Sequence, residues 1–318
     1  MLIASVLSVA LTAAPVLAAP ALNKRQTTCS NFGAYQLAPP DRPVSQEPYA
    51  TSIGVPGYAN SDYNVFLLFV WLRNGPADSS YYWTTVDAAT RQKYVNAYHA
   101  AGKLLMVSAF GATDFPTGAD PVATAQSLAK FVKDYQLDGA DIDWEDSPAF
   151  ESGTGAGENW LISFTQELRR QLPSPRYYIS HAPQAPYFCG NTAQYPKGAY
   201  LAVDKAVGNL IDWYNIQFYN QGSTDYASCD TLLNTSNGFF TNTALFQIAA
   251  SGVPLSKLVI GKPVTQAGAT NTGYVTPSTL ASCVSQARQK GWDAGVFGFQ
   301  QNEDVPFGSW IATVGAAL

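Results

Sequence analysis

An α/β fold, a single (β/α)8 barrel, is what the sequence predicts, on three observations. Eight short apolar runs recur at intervals of roughly 35–45 residues, the length of one strand with its return helix. Amphipathic helical patterns fall between them. The first run, around Phe32-Gly33-Ala34-Tyr35, lacks the Gly-rich phosphate-binding turn that would favour the rival, an open doubly wound sheet. With 318 residues, 47% hydrophobic and only 13% charged, the chain can fill one large core.

The predicted strands are Phe32–Leu37, Val65–Trp71, Leu104–Phe110, Gly139–Glu145, Tyr177–Ala182, Trp213–Phe218, Leu258–Pro263 and Gly295–Phe299. Between the second and third, Asp87–Ala101 carries Tyr94, Val95 and Tyr98 at helical spacing. Pro121–Tyr135 follows with Leu128, Phe131, Val132 and Tyr135 on one face, and Asn159–Leu172 with Leu161, Phe164, Leu168 and Leu172. Thr279–Lys290 and Ser309–Leu318 close the series after turn signals at Pro277 and Pro306. The stretch from Val264 to Pro277 is short, so no small α+β insertion domain is expected there.

The fourth run carries the chemistry. Asp141, Asp143 and Glu145 alternate with Ile142 and Trp144, so on a strand the three acids share one face, each about 6–7 Å from the next. Such a column costs stability, because each carboxylate disfavours ionisation of its neighbours. The same repulsion is useful when one of them must hold a proton near neutral pH and give it away. At the carboxyl end of a barrel strand the column runs from deep in the barrel to its mouth, with Glu145 outermost. Asp138 has the opposite parity and reads as a structural acid. The 13% aromatic content suits a groove in which sugar faces stack on rings, although most of these side chains are expected in the core.

These residues resemble glycoside hydrolase family 18, the family of chitinases and endo-β-N-acetylglucosaminidases. Its strand-four signature, D-x-x-D-x-D-x-E, is matched by Asp138, Asp141, Asp143 and Glu145. Gln217-Phe218-Tyr219-Asn220 after strand six is similar to the segment bearing the family's active-site Tyr, and Ser108-Ala109-Phe110-Gly111 to its strand-three S-x-G-G. Two positions depart from the pattern: Phe110 stands where the family usually has Gly, and Phe299 where a Trp floors the sugar site. The resemblance implies that the sugar's own acetamide acts as nucleophile, the exception to the two-carboxylate scheme. Glu145 would then be the general acid and base, Asp143 would orient the acetamide, Asp141 would share a proton with Asp143, and Tyr219 would bond the acetamide oxygen. Substrate contacts are expected from Gln217, Asn220, Phe299, Ser108 and Trp71, with core packing as the other reading of Trp71 and strand support as that of Gln217.

Residues 1–19 read as a signal peptide and 20–25 as a short propeptide ending in the dibasic pair Lys24-Arg25, leaving 26–318 as the catalytic barrel. The expected protein is secreted, free of the membrane after cleavage, and monomeric. Its formal net charge of −5 disfavours nucleic acid as a partner. No cofactor is expected, and no metal: the sequence has no C-x-x-C or His cluster, and no EF-hand loop fits around Asp138. The four cysteines, Cys29, Cys189, Cys229 and Cys283, suggest two disulfides in a secreted chain. Three pairings are possible, and the loop-like settings of Cys189 and Cys229 favour that pair. Asn234-Thr235-Ser236 is a glycosylation sequon. The substrate implied by the resemblance is chitin or another GlcNAc-containing oligosaccharide. An endo-acting chitinase leads, with an endo-β-N-acetylglucosaminidase acting on N-glycan cores and an inactive lectin as alternatives.

Overall fold

The computed structural model describes residues 62–318 and the short strand Ala34–Gln36, apart from residues 191, 223, 237–239, 301, 302, 305 and 307. The expected signal peptide, the dibasic site and Cys29 lie outside the described residues.

Strands β1 (Ala34–Gln36), β2 (Val65–Leu72), β4 (Leu104–Phe110), β5 (Gly139–Asp143), β6 (Tyr178–His181), β7 (Trp213–Gln217), β8 (Leu258–Pro263) and β9 (Val296–Phe299) pair in parallel in chain order. The ring closes because β1 pairs with β9 on one side and with β2 on the other. A two-residue strand, β3 (Gly75–Pro76), folds back antiparallel on β2 outside the ring. Each of the eight expected strands is present. β4, β5, β7 and β8 are buried along their whole length; β4 accordingly reads as a near-continuous apolar run, and β8 as one broken only by Lys262.

The helix layer forms where the sequence supplies caps. Asp87 accepts from the Thr90 amide to open α2 (Ala88–Ala100). Asp120 accepts from Ala123 ahead of Pro121 to open α3 (Pro121–Asp134), and Thr276 does the same ahead of Pro277 for α9 (Pro277–Gln289). Helix α5 (Ala156–Gln171) buries Leu161, Phe164 and Leu168, its predicted face. Short helices that periodicity did not reveal complete the layer: α1 (Asp78–Thr85), α4 (Ser147–Glu151), α6 (Ala199–Val207), α7 (Cys229–Leu233) and α8 (Leu245–Ala250). The chain ends in α10 (Ser309–Gly315). Between β8 and α9 there is only one 3-10 turn, Gln266–Gly268, and no insertion domain. Among the described residues no helix is long and apolar enough to cross a membrane.

Cys229 pairs with Cys283, not with Cys189. Cys283 sits on the buried face of α9 with Leu280, Val284 and Ala287, and the first turn of α7 packs against that helix. Their Cα atoms are 4.9 Å apart, within bridging range. Cys189 lies after β6 instead, with Sγ 3.6 Å from Thr192 Oγ1. Loop character, which favoured Cys189, says nothing about which helix face a cysteine meets. The bridge spans 54 residues, so Cys283→Ser is expected to cost about 2–4 kcal/mol in denaturant unfolding. An unchanged unfolding midpoint would show that the bond does not form in the protein.

Asp138, His99 and His181 have structural partners. Asp138 is fully buried, accepts from the Leu105 amide and pairs with His99. His181, also fully buried, lies between Tyr200 and Thr165, and burial pushes its pKa down to about 3, so it is neutral.

Candidate active site

The column of acids stands at the centre of the barrel's carboxyl end. Asp141 and Asp143 are the third and last residues of β5, and Glu145 lies just past the strand end on the same face. Asp141 is fully buried. It accepts hydrogen bonds from one neutral donor on each of three other strands: Ser108 Oγ on β4 at 3.1 Å, Ser180 Oγ on β6 at 2.6 Å and Asn215 Nδ2 on β7 at 2.9 Å. Register makes this possible, since Asp141 lies level with Ser108 on one side and Ser180 on the other. Three converging donors are what a buried carboxylate requires.

Above it, Asp143 and Glu145 act as a pair. Gln217 Nε2 is 2.7 Å from Asp143 Oδ1, 3.0 Å from Glu145 Oε1 and 2.9 Å from the Ala182 carbonyl. An amide nitrogen has two hydrogens. With one directed to Ala182, the other is held between the two carboxyl groups. Asp143 is also hydrogen-bonded to Glu145. Burial, and then the charges of Glu145 and Asp141, hold the Asp143 carboxyl well above the usual range. Burial also raises Glu145, against the pull of hydrogen bonds from Gln217, Asp143 and Gln184. Two such groups in contact retain one proton between them where isolated carboxyls would have lost both.

Tyr219 is buried, and its hydroxyl pKa is pushed well up, first by burial and then by the charges of Asp143, Glu145 and Asp141. It is therefore a neutral O–H beside the column. Its ring lies parallel to that of Phe299, with centroids 6.1 Å apart. Gly111, at φ +73°, comes in from β4: a Cβ there would lie 3.6 Å from Asp143 Oδ2 and 3.3 Å from the Phe69 ring. Its amide donates to the Asp143 carbonyl at 2.8 Å.

Seven of the nine residues singled out from sequence meet here: Asp141, Asp143, Glu145, Ser108, Gln217, Tyr219 and Phe299. Two do not. Trp71 packs edge-on against Phe110 and, with Arg73, Asp120 and Thr124, lines a cavity of about 300 Å³ facing helix α3. A register shift on β2 between Leu68 and Trp71 sets it level with Ala109 and turns it to the helix layer. Asn220 uses Oδ1 to accept from the Thr270 amide at 2.8 Å and so ties two loops together.

Ser180, Asn215 and Gln184 were not found from sequence. Ser180 and Asn215 lie in the fifth and sixth runs and Gln184 just after the fifth, and only the closure of the sheet brings them to the acids. The signal that could have revealed Ser180 and Asn215 is that each is a polar residue inside a buried strand.

Phe110 also takes a left-handed conformation, φ +82°, which is costly for any residue with a Cβ. Its ring is held edge-on by Trp71, Trp160 and Phe164 at 5.6–5.9 Å, an aromatic cluster that offsets the strain. The substitution at this position therefore sends its bulk to the helix layer and leaves the column clear.

Residues 117–310 match the family model described as glycosyl hydrolases family 18. The match contains the acids, Gln217, Tyr219 and Phe299. Endochitinase 2 of Coccidioides posadasii is 31% identical over 181 residues, which cover 56% of this chain and 19% of that protein. The chain thus spans less than a fifth of that relative's length. The crystal structure of a GH18 chitinase from Pseudoalteromonas aurantia superposes with a TM-score of 0.71 at 28% identity, covering 91% of this chain and all of that one. A fungal endo-β-N-acetylglucosaminidase of the same family shares the fold, with a TM-score of 0.60 at 21% identity over 90% of this chain and 96% of its own.

Proposed function

This chain belongs to glycosyl hydrolase family 18, and on that premise we propose that it is a secreted, endo-acting chitinase. The observation that carries the reading is the buried Asp143–Glu145 pair, bridged by Gln217 and set against Tyr219 and Phe299. In this reading the pair would supply one retained proton to a glycosidic oxygen held at the mouth of the barrel.

In the proposed reaction a GlcNAc unit rests on the Phe299 and Tyr219 side of the mouth. Glu145 gives its proton to the glycosidic oxygen as the bond from that oxygen to C1 breaks. The oxygen of the 2-acetamido group bonds to C1 from the opposite face, forming an oxazolinium ion. Asp143 accepts from the acetamide N–H and balances the positive charge that develops, while Tyr219 holds the acetamide oxygen beneath C1. Glu145, now a carboxylate, takes a proton from the incoming water. The oxygen of that water bonds to C1, the acetamide is released, and Glu145 is protonated again. Asp141, fixed by three neutral donors, stays below Asp143 at the base of the column.

Two inversions at one carbon leave the configuration unchanged. NMR of the first product from a chitin oligosaccharide is expected to show the β-anomer, and an α-anomer appearing first would reject substrate assistance. The second reading, cleavage of the chitobiose core of N-glycans, needs the same linkage and the same acids. Names among the relatives favour chitin. The decisive comparison is release of sugars from chitin oligomers and from a high-mannose glycoprotein, with the chitin arm expected to dominate. Hydrolysis of neither would favour an inactive lectin, against which the complete set of acids argues.

A further inference from the structure

Lys262 is the one residue of β8 whose presence packing does not explain. It is fully buried in a strand otherwise built from Leu, Val, Ile, Gly and Pro. Burying an ammonium costs several kcal/mol more than burying an apolar side chain of the same length, unless its hydrogens find acceptors. Among the described residues no carboxylate pairs with it. Instead Nζ donates to three backbone carbonyls, Phe218 at 2.8 Å, Tyr226 at 2.7 Å and Gly273 at 2.8 Å. Burial pulls the Lys262 pKa down, while three carbonyl acceptors, one for each N–H of an ammonium, favour the charged form.

The three carbonyls are not scattered. That of Phe218 belongs to the peptide bond that leads into Tyr219. Tyr226 closes the same loop further on, its ring edge-on to Phe218 at 5.2 Å. Gly273 comes from the other side, out of the loop after β8. At φ +98° it lies so close that a Cβ there would be 2.5 Å from Tyr219 Cα. The two loops are stitched again further out, where the Asn220 amide donates to Thr272 O at 2.8 Å and Asn220 Oδ1 accepts from Thr270. Tyr219 thus stands with Phe299 along its ring and a backbone frame behind it, and the centre of that frame is Lys262 Nζ.

We propose that Lys262 is a positioning residue for Tyr219: its ammonium ties loops 218–226 and 270–274 together and so fixes where the Tyr219 hydroxyl meets the substrate. The inference rests on the reading that Tyr219 bonds the sugar's acetamide. A methionine at this position would fill the strand but leave three carbonyls without a donor, and both loops would loosen.

The test is a double-mutant cycle on a chromogenic chitobioside, read beside amide hydrogen exchange. Lys262→Met is expected to lower kcat/KM by on the order of 10²-fold, the cost of misplacing a reacting contact by about 1 Å. In a Tyr219→Phe background the same substitution is expected to cost much less, because no hydroxyl is left to place. An equal loss in both backgrounds would overturn the proposal and make Lys262 a general support of the fold. Exchange in Lys262→Met is expected to quicken in peptides covering 218–226 and 270–274 and to stay unchanged in β4 and β5. Unchanged exchange in the two loops would overturn the tie outright. Should Tyr219→Phe alone keep full turnover, the assigned role of Tyr219 fails, while the exchange arm still decides the tie. If Lys262→Met does not accumulate as folded protein, Lys262→Gln, which keeps a donor with shorter reach, carries both measurements with the same expected signs.

Discussion

Glu145→Gln is expected to lower kcat on chitin oligosaccharides by 10²–10⁴-fold, the usual contribution of a general acid–base group. The substitution changes little else. The introduced amide has the size of the carboxyl it replaces, can accept from Gln217 Nε2 through its own oxygen, and remains beside Asp143. Binding is therefore expected to persist, and KM to change far less than kcat. Stability should move the other way. Glu145 has a raised pKa in the fold, so its contribution is fully present only below its unfolded-state pKa and is lost as pH rises through the folded value. An amide does not titrate, so the variant is expected to melt at or above the parent temperature at neutral pH. Loss of activity together with a large drop in melting temperature would point to a structural role. Near-normal turnover would remove Glu145 from the chemistry.

That acids at 141, 143 and 145 share a face was legible because strand periodicity is strict: a spacing of two residues fixes the side, whatever the rest of the barrel does. The strand count was legible because strands buried on both faces are mostly apolar, and such runs recur at the length of one strand with its helix. What sequence could not show depends on how separate elements are placed against each other. Asp141 draws donors from β4, β6 and β7, and only Ser108 was anticipated among them, through a motif rather than through geometry. Trp71 faces outward against the alternation of its strand, because the register of β2 shifts between Leu68 and Trp71, and its partner Phe110 faces outward because it adopts a left-handed backbone; no periodicity signals either. The disulfide depended on which face of α9 meets α7. Lys262 reads in sequence as a polar interruption of a strand, and its meaning emerges only when two loops distant in sequence are seen to converge on it.

The departures at Phe110 and Phe299 have different consequences. Phe110 turns its ring away from the acids, so its effect is confined to packing among Trp71, Trp160 and Phe164. Phe299 faces the site, parallel to Tyr219. A phenyl ring offers a sugar a smaller surface than an indole, so in the proposed reaction this position is expected to affect how strongly substrate is held rather than the proton transfers.

Asp143→Asn separates the two halves of the acid pair. The proposed role of Asp143 is to carry negative charge against the oxazolinium ion as it forms. An amide keeps the shape and can still meet Gln217 and Glu145, but it has no charge to offer. The loss in kcat is expected to be on the order of 10²–10³-fold, comparable to removing one fixed electrostatic contact from a transition state. The pH profile gives the sharper reading. In the parent enzyme the last proton leaves the pair against the negative charge of its partner, which raises the pKa of that step. With a neutral amide at 143, Glu145 ionises without that repulsion and loses its acid form at lower pH. The alkaline limb of kcat/KM is thus expected to shift towards acid in Asp143→Asn, with the acidic limb, set by the first ionisation of the pair, removed or flattened. A limb that stays in place, or moves towards alkali, would mean that Asp143 and Glu145 titrate independently, and the shared proton on which this mechanism depends would have to be abandoned.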